Sequence, residues 1–186
     1  MLWCCYGGGN SLRINNMQKS LFITNVLTTF MSQSYLTIMS NICNFLHIVF
    51  RTYCSRETIS DENKRILLAY IYRMCQDNNV HLERVNAYRN HVHLLVNLPA
   101  TISISDFVKK LKQSSSLKFK GSDKFPYFEG WGKGFGCFSV SYYDKGKVAN
   151  YIANQDTHHA RHSFREEYVA LLHDYGMEEN EFTFID

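Results

Sequence analysis

The segment Val80–Pro99 constrains this chain more than any other. Val80–Arg89 reads as a strand and Asn90 as a tight connection. His91–Leu98 reads as a second strand, stopped by Pro99, which cannot donate to a ladder. Alternate side chains of a strand share a face. Val92, Leu94, Val96 and Leu98 therefore form one uniformly apolar face, which must be the core side. His91, His93, Leu95 and Asn97 point the other way, so two imidazoles stand side by side. That arrangement suits two nitrogen ligands on one metal ion. It suits equally two histidines on a wet sheet face, and the spacing alone does not separate the two.

The flanking segments supply the rest of a small α+β architecture. Asn41–Tyr53 is β-branched and aromatic and predicts a strand. Ser60-Asp61-Glu62 places a cap residue and two acids at a helix start, and Ile66, Leu67, Tyr70, Ile71 and Met74 follow at helical spacing to about Asn78. Ser105 is the expected cap of a second helix, with Phe107, Val108 and Leu111 as its buried stripe. After an aromatic loop, Gly121–Gly136, comes a fourth strand, Cys137–Tyr143. Two helices follow, Asp144–His162 and Ser163–Tyr175, the latter stopped at Gly176. The order β-α-β-β-α-β predicts a ferredoxin-like antiparallel sheet with helices on one face, the other face free for a ligand, and further helices at the C-terminal end.

The first of those C-terminal helices carries a polar stripe. At 100° per residue from Tyr151, Gln155 falls near about 40°, His158 near about −20° and His162 near about 20°. Val148 and Ile152 lie to one side for packing. Gln155 is a candidate oxygen ligand and Tyr151, one turn away, a candidate nucleophile. With twelve tyrosines in the chain, packing is the default role for any one of them. His158 and His159 are candidate accessory groups, and equally a solvated helix end where cations suit the dipole.

With 186 residues the chain is one domain, or one domain with a tail. An apolar content of 45% with 20% charged residues excludes disorder for its bulk. The net charge of +3 is mild but uneven. Nine lysines, Lys109, Lys110, Lys112, Lys118 and Lys120 among them, stand against four acids between Asp106 and Lys147. From Ser163 onward one arginine stands against seven acids. A basic middle fits a polyanion site, although a solvated lysine face explains the charge as well. The six cysteines form no CxxC pair, so a reduced, cytoplasmic protein is expected rather than a zinc ribbon or disulfide scaffold. Residues 20–50 lack charge but are broken by polar side chains, so no membrane span is expected. Residues 1–38 read as an extension of unassigned role, with Met31 or Met39 as the expected working start, and 39–186 as the functional domain.

Position 95 is Leu, which excludes a histidine triad, and no GK[ST] loop occurs. Taken together, His91-Val92-His93, Tyr151-xxx-Gln155 and His158-His159 followed by Ser163-Phe164-Arg165-Glu166-Glu167 resemble the single-tyrosine HUH transposases of small bacterial insertion sequences and their repeat-associated relatives. His47–Thr52, Asn90–Pro99, Lys112–Ser115, Trp131–Ser141 and Val148–His159 extend the resemblance over about residues 40–186. The resemblance implies one divalent ion, Mg²⁺ or Mn²⁺, held by His91, His93 and Gln155. It implies attack by Tyr151 on single-stranded DNA, giving a 5′-phosphotyrosine and a free 3′-OH without ATP. It further implies subterminal DNA hairpins as partners and a homodimer whose active sites are often shared between subunits. Lys109, Lys110, Lys112, Lys118, Lys120 and Arg51 become expected DNA contacts, and Trp131, with Tyr127, Phe128 and Phe135, expected stacking platforms. The competing expectations are a non-catalytic nucleic-acid-binding module and a domesticated host endonuclease of the same chemistry.

Overall fold

The computed structural model describes residues 41–159 and 163–179. Segment 1–38, His162 and the side chain of His158 lie outside the described residues. The elements run β1 (Phe45–Arg51), α1 (Asp61–Asp77), β2 (His81–Tyr88), β3 (His91–Asn97), α2 (Ile104–Phe119), β4 (Gly136–Val140), α3 (Lys145–Ala153), α4 (Gln155–His158) and α5 (Phe164–Asp174). The sheet order is β2-β3-β1-β4 with every neighbouring pair antiparallel, which is the ferredoxin-like topology.

Local chemistry sets these elements. Ser60 and Asn63 form a reciprocal capping box at the start of α1, and Leu67, Ile71 and Cys75 make its buried stripe. The cap of α2 is Ser103, not Ser105: its hydroxyl accepts from the Asp106 N–H at 3.0 Å, and helical geometry begins at Ile104. Phe107, Val108 and Leu111 then pack with Val92, Leu94, Val96 and Leu98 in the main core. The β2–β3 connection is Arg89-Asn90, with Arg89 rather than Asn90 at positive φ (38°). Asn90 instead works as a brace: its Nδ2 donates to the Ser55 carbonyl, and its own carbonyl accepts from the Thr52 N–H.

The second face of the sheet is not free. Phe45, Leu95, Val140 and Ile152 form one buried cluster on it, and Val49, Phe138, Phe164 and Leu172 another. Leu95 shares a face with His91 and His93, while Phe45, Val49, Phe138 and Val140 add apolar area beside it. Leaving that area in water is unfavourable, so the apolar sides of α3 and α5 cover it. His91 and His93 are consequently fully buried.

The single helix expected over Asp144–His162 is broken at Asn154, whose φ and ψ are −98° and 21°. The Asn86 side chain donates to the carbonyls of Ile152 (2.9 Å) and Ala153 (3.3 Å), taking acceptors at the end of α3. The wheel angles computed from Tyr151 therefore do not carry through to Gln155 and beyond. Helix α5 opens on a capping box of Ser163 with Glu166 and ends before Gly176, at φ 67°. It rests closely on β4: a Cβ at Gly136 would lie 2.8 Å from the Tyr168 ring. Among the described residues no helix is long and apolar enough to cross a membrane.

Candidate metal and tyrosine site

Three elements converge beneath α5. Strand β3 supplies His91 and His93, and α3 ends with Tyr151 in its last turn. Gln155 opens α4, and His159 closes it as its C-cap. Glu167 descends from the first turns of α5. Its Oε2 lies 3.0 Å from His159 Nε2, 3.4 Å from His93 Nε2 and 3.5 Å from His91 Nε2. Its Oε1 accepts hydrogen bonds from the Tyr151 hydroxyl and from Gln155 Nε2, the latter at 3.0 Å. One carboxylate thus joins the imidazole cluster to the phenol. Tyr151 lies against the histidines of its own chain, its ring centroid 6.1 Å from that of His93.

The far nitrogens of the two strand histidines are held from behind. His91 Nδ1 bonds Asn90 Oδ1 at 2.7 Å, and His93 Nδ1 bonds His47 Nε2 at 2.9 Å. Asn90 Oδ1 only accepts, so His91 carries its proton on Nδ1 and presents a bare Nε2 lone pair to the carboxylate. Among the described residues, His91 Nε2, His93 Nε2 and Gln155 Oε1 are buried without a hydrogen-bond partner. The His91 lone pair and the carboxylate it faces repel unless a cation lies between them. His91, His93, His159 and Glu167 offer ligand atoms all within 4.8 Å of one another, so the donor set fits a divalent ion.

Electrostatics agree with that reading. Burial, then the neighbouring His93, pushes His47 down to about 3 and His91 well below its ordinary value, so both are neutral near pH 7. Burial alone would raise the Glu167 carboxyl, but the His159 and His93 imidazoles beside it hold it well below the usual carboxylate range. Burial, with the Glu167 charge next, pushes the Tyr151 phenol up. A cleft of about 600 Å³ between β4, α3 and α5 reaches Tyr151 and Glu167, with Lys147 among its lining residues.

The other expected contacts are distributed differently. Lys109, Lys110, Lys112 and Lys118 ride on α2, which packs on the opposite face of the sheet from the histidines, and Lys120 follows as its C-cap. Lys110 Nζ donates to Asn78 Oδ1 at 2.6 Å, Lys118 lies over the Tyr70 ring, and Lys112 clamps the carbonyls of Gly132 (2.6 Å) and Gly134 (2.7 Å). Trp131 is a packing residue: Nε1 donates to Ser115 Oγ at 2.8 Å and its ring meets Phe50 edge-on at 4.7 Å. Phe128 is buried, while Tyr127 and Phe135 reach the surface. Arg51 is buried on the histidine face, opposite His91 in the β1–β3 register. Glu167 and His47 belong to the stretches that carry the family resemblance, but sequence reasoning assigned neither a role in the site. The signals were there in the Glu in the first turn of a capped helix and in the alternation that puts His47 on the face of His93.

Fold and site together define a ferredoxin-like domain with a buried histidine–carboxylate cluster set against a tyrosine. Residues 41–155 match the profile of the family described as "Transposase IS200 like", and the chain belongs to that family. It is similar to the transposases for insertion sequence element IS200 of Salmonella typhimurium (strain LT2) and Salmonella typhi. Each is 30% identical over 114 residues, covering 59% of this chain and 74% of the relative. Among solved structures it resembles a REP-associated tyrosine transposase bound to a REP hairpin (TM-score 0.51, 14% identity, 64% of this chain and 70% of that one). A Deinococcus radiodurans R1 protein crystallised as a candidate transposase also aligns (TM-score 0.49, 22% identity, 63% and 94%).

Proposed function

We propose that the chain cleaves and rejoins single-stranded DNA at the ends of a mobile element, with Tyr151 as nucleophile. The observation that carries this reading is the hydroxyl of Tyr151 standing on the same carboxylate that faces His91 and His93. A divalent ion, Mg²⁺ or Mn²⁺, held by His91 and His93 with the amide oxygen of Gln155 beside them, supplies Lewis-acid polarisation of the scissile phosphate.

The chain's own residues do the rest. His47 and Asn90 fix the two imidazoles by their outer nitrogens. Gln155 Nε2 and the Tyr151 hydroxyl share Glu167 Oε1, so the phenol is held in one orientation. Glu167 is the acceptor already in hydrogen-bond reach of the phenolic proton. The Tyr151 oxygen forms a bond to phosphorus, the bond from phosphorus to the 3′ oxygen breaks, and the proton given up by the phenol ends on that oxygen, which leaves as a 3′-OH. The phosphotyrosine keeps the energy of the broken bond, so a second 3′-OH can reverse the step without ATP.

The hairpin in the solved REP-associated relative supports a hairpin-bearing single strand as partner here. Lys147, beside the cleft, is the cation on the site's side of the sheet that the reading assigns to the DNA. Such a protein works with DNA in the cytoplasm, and a homodimer is its proposed assembly.

Incubation with labelled single-stranded hairpin DNA and Mn²⁺, followed by a denaturing gel, tests the reading. A covalent adduct is expected for wild type and for neither Tyr151→Phe nor the double variant His91→Ala/His93→Ala. An adduct of full yield from Tyr151→Phe sinks the assignment. Tight hairpin binding without any adduct makes the chain a binding module.

A further inference from the structure

Resting on the metal site just proposed, we infer that His159 and Glu167 are themselves ligands of the ion, and that the ion pins helix α5 to the sheet. The family profile ends at Gln155, so both residues lie beyond the matched region. Metal–nitrogen and metal–oxygen bonds of about 2.0–2.2 Å put adjacent ligand atoms around one ion about 2.9–3.5 Å apart. Glu167 Oε2 stands 3.0, 3.4 and 3.5 Å from three imidazole nitrogens, which is the spacing of ligands on a shared centre.

The second observation is how each donor is held. Tyr88 stacks on His159 at 4.7 Å and 16°, and Phe164 stacks on His91 at 4.5 Å and 24°. Asn90 and His47 take the outer nitrogens of His91 and His93. On Glu167, Tyr151 and Gln155 occupy Oε1, which leaves Oε2 aimed at the imidazoles. A surface histidine cluster has no such bracing from several elements at once.

Two consequences follow. Three imidazoles and one carboxylate are borderline donors, whereas Mg²⁺ asks for a near-octahedral oxygen shell with several waters. The set therefore selects Mn²⁺, Co²⁺ or Zn²⁺ over Mg²⁺. The ligands also come from β3, α4 and α5, so occupancy ties the last helix to the sheet across the site. The ion then acts as a cross-link that sets the position of α5, with Tyr151 hydrogen-bonded to the same carboxylate.

The test measures metal binding by the full chain without DNA. Calorimetry with Mn²⁺ and with Mg²⁺ is paired with the visible spectrum of added Co²⁺, and amide hydrogen exchange follows α5. Variants are His159→Ala, Glu167→Gln and His91→Ala/His93→Ala, each checked for native far-UV dichroism. Outer-shell partners alone change affinity about 10–100-fold, so losing a ligand is expected to weaken Mn²⁺ binding on the order of 100-fold or more. Wild type is expected to bind Mn²⁺ at least ~10-fold tighter than Mg²⁺. Metal should slow exchange in α5 of wild type but not of Glu167→Gln. If His159→Ala and Glu167→Gln bind Mn²⁺ like wild type while the double histidine variant does not, the inference is overturned and the proposed function stands. If the double histidine variant also binds like wild type, the metal site itself is wrongly placed, and both readings fall.

Discussion

Leu95 sits on the same sheet face as His91 and His93, fully buried against Phe45, Val140 and Ile152. Replacing it with alanine measures whether the C-terminal helices cover that face in solution. A buried Leu→Ala change costs about 2–5 kcal/mol, more where the surroundings cannot collapse. Here the walls belong to β1, β4 and α3, three elements fixed by their own ladders or packing, so collapse is restricted and a value of ~3 kcal/mol is expected. For a domain of this size that corresponds to a melting-temperature drop of roughly 6–12 °C. Urea unfolding followed by far-UV dichroism reads the change, with Leu117→Ala as reference. Leu117 is 86% exposed, and its truncation should stay within about 0.5 kcal/mol. A Leu95→Ala loss of that same small size would falsify the covered face, because a leucine on an open sheet face buries too little to matter. Val148 and Tyr151 pack on the same cluster, so the proposed single-strand cleavage should fall along with stability.

Further outcomes are expected elsewhere. Gly136→Ala places a Cβ 2.8 Å from the Tyr168 ring, and the forced shift should cost about 1–3 kcal/mol; adding Tyr168→Leu should recover part of it in the same melt. Ser163→Ala removes the α5 capping box and should cost about 1 kcal/mol, with faster amide exchange confined to that helix. His47→Phe keeps a planar ring but removes the bond to His93 Nδ1, and Mn²⁺ affinity measured by calorimetry should fall about 10–100-fold. Burial pushes the Cys75 thiol up to about 12, so at pH 8 it should resist a thiol reagent that labels exposed Cys43 and Cys54, until urea unfolds the chain. The sign is that of a raised pKa: the stability carried by the protonated thiol is present below about pH 9 and is lost as pH climbs toward about 12.

Much of the fold was legible because its signals are local. The alternation of His91–Leu98 identified the core side, and Ser60 and Ser163 marked two helix starts through capping chemistry that acts within four residues. The breaks came where a distant residue decides. Asn86, on β2, ends α3 by taking the carbonyls of Ile152 and Ala153, and nothing in the periodicity near Tyr151 announces it. Ser103 and Ser105 both look like caps, and only the Asp106 N–H chooses between them. On the sheet, periodicity shows which strand residues share a face but not what lies over it, so the face that α3 and α5 cover read as open. The lysines of α2 read as partners of the site because charge was counted along the chain, whereas the sheet puts them on its other side. Glu167 escaped for a related reason. An acid in the first turns of a helix suits the dipole anyway, and its meeting with His93 is a long-range event.

The order in which the chain is made gives the site a timetable. His91 and His93 are synthesised about 70 residues before Glu167. At roughly 5–20 residues per second, β3 leaves the ribosome on the order of several seconds ahead of the helix that carries Glu167. Until α3 and α5 follow, Phe45, Val49 and Leu95 have no roof, and the nascent chain is sticky where the finished one is dry. Premature termination before α5 would therefore leave that part of the sheet face uncovered, in an aggregation-prone stub.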